Sequence, residues 1–160
     1  MITGTIRGVF LGFLVALCAA SSCSSQRDVY YIPQGGSGWY GVVHEQSGWP
    51  LLDRDALGEI HRFGNDGILL TASPLVEASG RAEFYFVDAS GGRMRIQTSP
   101  TGGGGLVWGR HTESLREAGY PELTMYWFFI GSEAASKQAG EEALRARVDQ
   151  VRKKLKHAPD

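Results

Sequence analysis

The chain has 160 residues and a formal net charge of −1 at pH 7, from 16 lysines and arginines against 17 aspartates and glutamates. This near balance points to no class of charged partner. The length is that of one domain, and it is sufficient to bury a core without the disulfides on which small secreted domains depend.

Residues 1–22 have the three parts of an export signal. Arg7 lies in a short polar start, an apolar run extends from Gly8 to Ala20, and small residues precede Cys23. The apolar run is shorter than the roughly 20 residues that a helix needs to span a bilayer. The sequence therefore predicts a cleavable signal peptide, whose removal leaves 138 residues.

The residues around Cys23 predict lipidation. Ala20-Ser21-Ser22-Cys23 resembles the lipobox of bacterial lipoprotein precursors, which implies an acylated Cys23, carrying palmitate for example, in a protein facing the periplasm or the exterior. Loss of Cys18 with the signal would leave Cys23 unpaired, which is unusual for a secreted disulfide protein. Simple secretion is the alternative. Ser24 after the cysteine favours the outer over the inner membrane, by resemblance to lipoprotein sorting in some bacteria.

Residues 23–27 form a short predicted tether, and residues 28–131 read as short apolar or alternating runs separated by turn residues. This spacing predicts an antiparallel β-sandwich of about seven or eight strands. Asn65-Asp66-Gly67 predicts a tight turn, and residues 88–92 a hairpin connection. The candidate strands are 28–33, 38–45, 58–63, 67–72, 82–88, 93–97, 105–111 and 123–130.

Two of these strands, 84–87 and 123–130, are apolar on both alternating faces, so we expect both faces to be covered. Residues 132–157 are the expected cover for a sheet. Ser132 is a helix N-cap candidate, and we expect a bend or break at Gly140. The apolar stripe of this amphipathic helix is formed by Leu144, Val148, Val151 and Leu155. Pairing of the stripe with another chain and binding to a membrane surface are the alternatives.

The same C-terminal segment is basic, with six cations against Asp149 between Arg145 and Lys156. Cations near the end of a helix complement its dipole, and Glu141 and Glu142 do so near the start. The alternative is an interaction surface for an anionic partner such as lipid. An exported protein is not expected to bind nucleic acid.

The candidate motifs for cofactors, metals or catalysis lack the secondary structure or the residue spacing that each of these functions requires. The run from Gly36 to Gly41 has the spacing of a dinucleotide fingerprint, but a strand follows where a helix is required, so no cofactor is predicted. No close-spaced ligand pair predicts a metal; a site assembled in space from His44, His61 and His111 is the alternative. Four acids are numerous enough to supply a carboxylate pair, although their spacing does not require one: Glu45, Asp53, Asp55 and Glu59.

Three tryptophans are the candidate binding residues: Trp39, Trp49 and Trp108. Each has a glycine neighbour, which places it near a turn, where an exposed indole can stack on a sugar or pack on a protein. The alternative is that all three are core or core-rim residues of the β domain.

The order of several segments resembles a family of uncharacterised bacterial envelope lipoproteins. The segments are Val29-Tyr30-Tyr31-Ile32-Pro33 followed by a Gly-rich turn and Trp39, then residues 65–71, 84–88 and 127–131. The resemblance implies an envelope address and carries no assigned activity. The opening is more weakly similar to prealbumin-like sandwiches such as carboxypeptidase regulatory domains, which are accessory modules.

We therefore expect a non-enzymatic binding or structural module of the cell envelope, attached to the membrane through Cys23. Its expected partner is a protein, peptide or glycan of the envelope. The alternative hypothesis is a metal-dependent or hydrolase-like envelope enzyme.

Overall fold

The computed structural model describes residues 27–55, 58–76, 82–98, 106–116 and 122–156. The predicted signal peptide, Cys23 and most of the predicted tether lie outside the described residues. Among those that are described, no helix has the combined length and apolarity needed to cross a membrane.

The described part of the chain forms nine strands and one helical element. Each of the eight predicted strands is present, although β8 continues to Leu115 and the two-residue strand β3 was missed. The bounds are β1 Arg27–Pro33, β2 Gly38–His44, β3 Asp53–Arg54, β4 Gly58–Arg62, β5 Ile68–Leu70, β6 Ala82–Val87, β7 Arg93–Ile96, β8 Val107–Leu115, β9 Leu123–Ile130 and α1 Glu133–Leu155.

The strands form two sheets, with the orders β3-β4-β1-β6-β7 (sheet A) and β5-β2-β9-β8 (sheet B). The prediction of an antiparallel sandwich is wrong in part, because both sheets are mixed. In sheet A, β1 is parallel to β4 and β6, and in sheet B, β2 is parallel to β5. The reason is the path of the chain. Between β1 and β4, and again between β4 and β6, the chain crosses to sheet B and back, so β4 and β6 run in the same direction as β1, and β5 returns to sheet B parallel to β2.

This path also changes the role of the predicted turn at Asn65-Asp66-Gly67. The turn joins β4 in sheet A to β5 in sheet B, with Gly67 at a φ of 67° and the Ile68 amide donating to the Asp66 carboxylate. It is therefore a connection between sheets. The predicted hairpin at residues 88–92 is confirmed, since it joins the antiparallel strands β6 and β7.

The main core lies between the two sheets, as expected for a sandwich. Its buried members come from the inward-facing positions of both sheets, and aromatic rings dominate. They are Tyr30, Ile32, Tyr40, Val42, Phe63, Phe84, Ile96, Val107, Phe128 and Ile130.

The helix α1 covers the outer face of sheet B, which confirms that it packs on the sheet. Ser132 accepts a hydrogen bond from the Ala135 amide at 3.2 Å, as an N-cap does, and the non-helical Gly140 divides α1 into two segments. Val148 and Val151 are buried against Met125 and Trp127 of β9, together with Val43, Ile68, Leu70 and Leu123.

Part of the basic charge of α1 is used within the fold. Arg147 donates to the Asp66 carbonyl oxygen at 2.7 Å, and Lys154 forms an ion pair with the Asp66 side chain. These contacts attach the helix to the turn between β4 and β5.

The outer face of sheet A is shielded differently. A small cluster of Val29, Tyr31 and Ile60 is buried there, with Tyr85 and Val87 partly buried beside it. The guanidinium groups of Arg62 and Arg93 lie 4.9 Å and 4.6 Å from the centroid of the Tyr31 ring. In the described chain, long cationic side chains therefore take the place of a helix on this face.

Candidate functional site

A groove of about 700 Å³ opens between α1 and β8 on the described surface. It forms because α1 packs more closely on β2 than on β8, which leaves one edge of sheet B less covered. The residues that line it are His111, Thr112, Glu113, Leu115, Leu144, Arg145, Val148, Asp149 and Arg152.

The groove has an apolar floor and a charged rim. Leu115, Leu144 and Val148 belong to the cluster that holds α1 on sheet B. On the helix, Arg152 forms an ion pair with Asp149 at 3.4 Å. The strand side of the groove is β8, which pairs with β9 and stands at the end of the strand order of sheet B. Within the described residues its other edge therefore presents backbone groups without a neighbouring strand.

Two of the three candidate tryptophans lie in one row across sheet B. Trp39 of β2 pairs with Phe129 of β9, which in turn pairs with Trp108 of β8. The Trp39 ring lies edge-on to Phe129 at 5.5 Å and to His111 at 6.2 Å, so it adjoins the end of the groove. The Trp108 indole donates to the Gly131 carbonyl oxygen at 3.0 Å. Trp49 is outside this row, partly buried in the loop after β2.

A second group of polar side chains is buried between the sheets, at the end opposite to Ile32. We call it the polar end, and it consists of Asp28, His44, Glu59 and His61. Register brings it together: Asp28 of β1 is the Cα partner of Glu59 in the parallel strand β4, and His61 follows two residues later on the same face. His44 enters from sheet B, and its ring lies 6.3 Å from that of His61.

His44 is held in the neutral form. Burial is the main cause that lowers its pKa to about 4, and the neighbouring His61 acts in the same direction. Its Nδ1 lies 3.3 Å from the Ser73 carbonyl oxygen, to which it can donate. The next residue, Glu45, has a φ of 60°, a left-handed conformation that is uncommon for a side chain of this kind.

Two tyrosines close the polar end toward the main core. Burial raises the pKa of Tyr30 well above its ordinary value, with Tyr126 as the next cause, and burial also raises the pKa of Tyr126. Both phenols therefore stay neutral, and Arg110 interacts with the Tyr126 hydroxyl.

The sequence-based candidates are thus divided between two places. The structure brings His44 and His61 together, but His111 lies at the groove, with its Nδ1 2.8 Å from the Gly109 carbonyl oxygen. Glu59 was one of four acids considered for a carboxylate pair, whereas Asp28 was missed. Its pairing with Glu59 depends on the parallel register of β1 and β4, for which the sequence carries no local signal.

These features define a two-sheet sandwich of mixed topology with a helix on one outer face, a groove beside that helix and a polar end between the sheets. The chain belongs to a family of unknown function, DUF6843, whose model matches residues 24–139. The sequence-based resemblance to an uncharacterised family is confirmed. No curated protein matches the chain significantly.

A solved structure of similar fold is a crystal structure described as that of a "putative lipoprotein" from Bacillus anthracis. The two chains are 19% identical, with a TM-score of 0.61, and the match covers 79% of this chain and 94% of the other. At this identity the similarity establishes the fold.

Proposed function

We propose that this protein is a lipid-anchored, non-enzymatic binding module of the bacterial cell envelope, and that its α1–β8 groove binds an extended peptide segment of another envelope protein. The observation that carries the proposal is the open groove of about 700 Å³ beside the edge strand β8. This volume is within the range of ligand sites, about 300–1,000 Å³.

A groove between a helix and an edge strand suits a peptide in one particular way. An extended segment adds to the edge of β8 that has no neighbouring strand among the described residues, and its alternate side chains enter the groove. Leu115 and Leu144 offer apolar contact there, while Glu113 and Arg145 supply one charge of each sign to orient the segment. Trp39, next to His111 at the end of the groove, is the candidate tryptophan best placed to contribute.

The lipid anchor has separate support. The family match begins at residue 24, directly after Cys23, and the similar solved structure is described as a "putative lipoprotein". Because β1 begins at Arg27, a lipid on Cys23 would keep the sandwich within about 15 Å of chain from the membrane, at about 3.3–3.6 Å per residue. Ser24 favours the outer membrane.

Labelling with palmitate tests the anchor. Wild-type protein and Cys18→Ser should incorporate labelled palmitate in cells, whereas Cys23→Ser should not. Cys18→Ser is the matched control, because it removes the other cysteine of the chain. Equal labelling of wild type and Cys23→Ser would overturn the lipid assignment.

Selection of peptides tests the groove. The purified protein in detergent is used to select binders from a displayed library of short random peptides. We expect the selected peptides to bind at least tenfold more weakly to Leu144→Arg, which places a cation on the groove floor. The matched control is Met94→Arg, since Met94 is an exposed apolar residue on β7, the edge strand of the other sheet.

Methylation of the peptide backbone tests the binding mode. If the peptide adds to β8 as a strand, N-methyl groups on one set of alternate residues should abolish binding, and those on the other set should not. If the selected peptides bound Leu144→Arg as tightly as they bind wild type, the groove would not be the site. The same would follow if no peptide were enriched over an empty support.

A further inference from the structure

Three side chains with metal-binding atoms meet at the polar end, away from the groove. Asp28 and Glu59 are Cα partners on the parallel strands β1 and β4, and His61 shares their inward face. One ligand atom from each of the three lies within 4.8 Å of the others. The strands of a sheet hold this arrangement, so its geometry is set by main-chain hydrogen bonds.

The His61 imidazole is an independent sign of a ligand. Its side chain is 2% exposed, and neither ring nitrogen has a hydrogen-bond partner among the described residues. Buried imidazole nitrogens normally donate or accept. Nε2 points toward Asp28, but the distance of 3.7 Å to Oδ1 is too long for a hydrogen bond.

The His61 ring is also held in place. It stacks on the Tyr30 ring, with centroids 4.3 Å apart and planes inclined by 11°. The centroid of the His44 ring lies 6.3 Å from that of His61, with the two planes inclined by 72°. A fixed ring with its nitrogen toward two carboxylates is preorganised for a cation.

The charges at the polar end favour a cation as well. The Asp28 and Glu59 side chains are 14% and 5% exposed, and buried charges are normally paired or bound to metal. Arg54 donates to Oε1 of Glu59 at 2.7 Å and offsets one negative charge. Arg110, on the sheet B side, interacts with Tyr126. The carboxylate of Asp28 has no comparable cation among the contacts described.

We propose that Asp28, Glu59 and His61 bind a divalent first-row transition-metal ion, such as Zn²⁺, between the two sheets. Imidazole combined with carboxylates suits this class of ion, whereas Mg²⁺ and Ca²⁺ prefer oxygen ligands alone. Ligand atoms around tetrahedral Zn²⁺ lie about 3.4 Å apart, from bonds of about 2.1 Å. Side-chain movements of about an ångström bring the three atoms from their present spacing to that geometry. The hydrogen bond from Arg54 to Oε1 orients the Glu59 carboxylate.

Metal retention by the whole protein tests the site. The full chain carries an affinity tag without histidines, is purified from membranes in detergent, is stripped with EDTA and is then equilibrated with Zn²⁺. We expect wild-type protein to retain one equivalent of zinc after gel filtration. Asp28→Asn and His61→Gln should lower the affinity at least tenfold in titration calorimetry, and Mg²⁺ should not compete.

Two matched controls separate this site from adventitious binding. Glu83→Gln changes a part-buried acid on the outer face of the same sheet, and His111→Gln changes an exposed histidine at the groove. Both should retain zinc as wild type does. Circular dichroism monitors folding, and Asp28→Asn alone decides the test if His61→Gln fails to fold, because Asn keeps the size of Asp. Zinc absent from the wild type, or retained equally by Asp28→Asn, would overturn the proposal.

Discussion

The two ends of the space between the sheets are built from opposite chemistry. At one end, the aromatic end, the Phe128 ring lies 4.9 Å from Phe84, 5.6 Å from Phe63 and 5.7 Å from Tyr40. At the polar end, the Glu59 carboxylate and two imidazoles are buried beside the part-buried Asp28, and the nitrogens of His61 have no hydrogen-bond partner within the described chain. The first arrangement stabilises the fold, and the second lowers its stability.

The change from one chemistry to the other takes only a few residues along each strand. On β1, the inward positions run from Asp28 through Tyr30 to Ile32, and on β2 from His44 to Tyr40. A core that is otherwise consistently apolar has polar groups at one end, at a cost in stability. Such a local departure is expected where a protein binds or reacts.

The largest predicted effect is at the aromatic end. Phe128→Ala should lower the free energy of unfolding by about 3–5 kcal/mol, because the loss of a fully buried ring that lies against five other aromatic rings leaves a cavity. Denaturation in urea measures the loss. Phe86→Ala, on a partly buried residue beside the same cluster, is the control and should cost less. Equal losses for the two variants would contradict the comparison.

Acid should act on the polar end. The pKa of His44 is about 4 in the folded protein and about 6.5 in the unfolded chain, so the unfolded chain binds more protons between these values. Stability should therefore fall as pH is lowered from 6.5 to 4, by about 3 kcal/mol from this residue, and should stay unaffected by it above 6.5. His44 faces Asp28, Glu59 and His61, and His61 lowers the pKa of His44 whereas the two carboxylates raise it.

The contribution of His44 is isolated by His44→Asn, measured in EDTA. The variant should lose less stability than wild type over the same pH range, by about 3 kcal/mol. If the free energy of unfolding fell equally with pH in the two proteins, His44 would not be held neutral by the fold.

A smaller effect is expected from Arg54, which binds the buried Glu59 carboxylate. Arg54→Gln should cost about 1–2 kcal/mol in EDTA, since it leaves a buried charge without its cation, although Arg54 itself is largely exposed. The control is Arg116→Gln, which removes an ion pair to Glu122 on the surface and should cost less than Arg54→Gln, because solvent screens an exposed pair. If Arg54→Gln lost no more stability than Arg116→Gln, the Glu59 carboxylate would be in contact with water.

Much of sheet B and its helical cover was predictable from the sequence. The run 123–130, apolar on both faces, correctly required a cover on the outer face of β9. The stripe through Val148 and Val151 supplied that cover, and Gly140 marked the break in the helix. These features depend on periods of 2 and 3.6 residues, which are visible along the chain.

The polar end and the groove were not predictable in the same way. A period identifies the face of a residue but not the neighbouring strand, so the parallel pairing that brings Asp28 beside Glu59 was missed. Glu59 and His61, two residues apart, could have been recognised as sharing a face. The groove depends on the position of α1 over β2 rather than β8, which is a matter of packing between elements distant in sequence.

The smallest predicted effect has the opposite sign and separates the two ends most clearly. His61→Leu should leave stability unchanged in EDTA or raise it by up to about 1 kcal/mol, because an apolar side chain of similar volume replaces a buried imidazole whose nitrogens lack partners. Urea denaturation in EDTA and in excess Zn²⁺ measures the difference. In excess Zn²⁺ the wild type should be more stable than His61→Leu, since it gains binding energy that the variant lacks. A clear loss in EDTA would instead make His61 a stabilising part of the core, like Phe128.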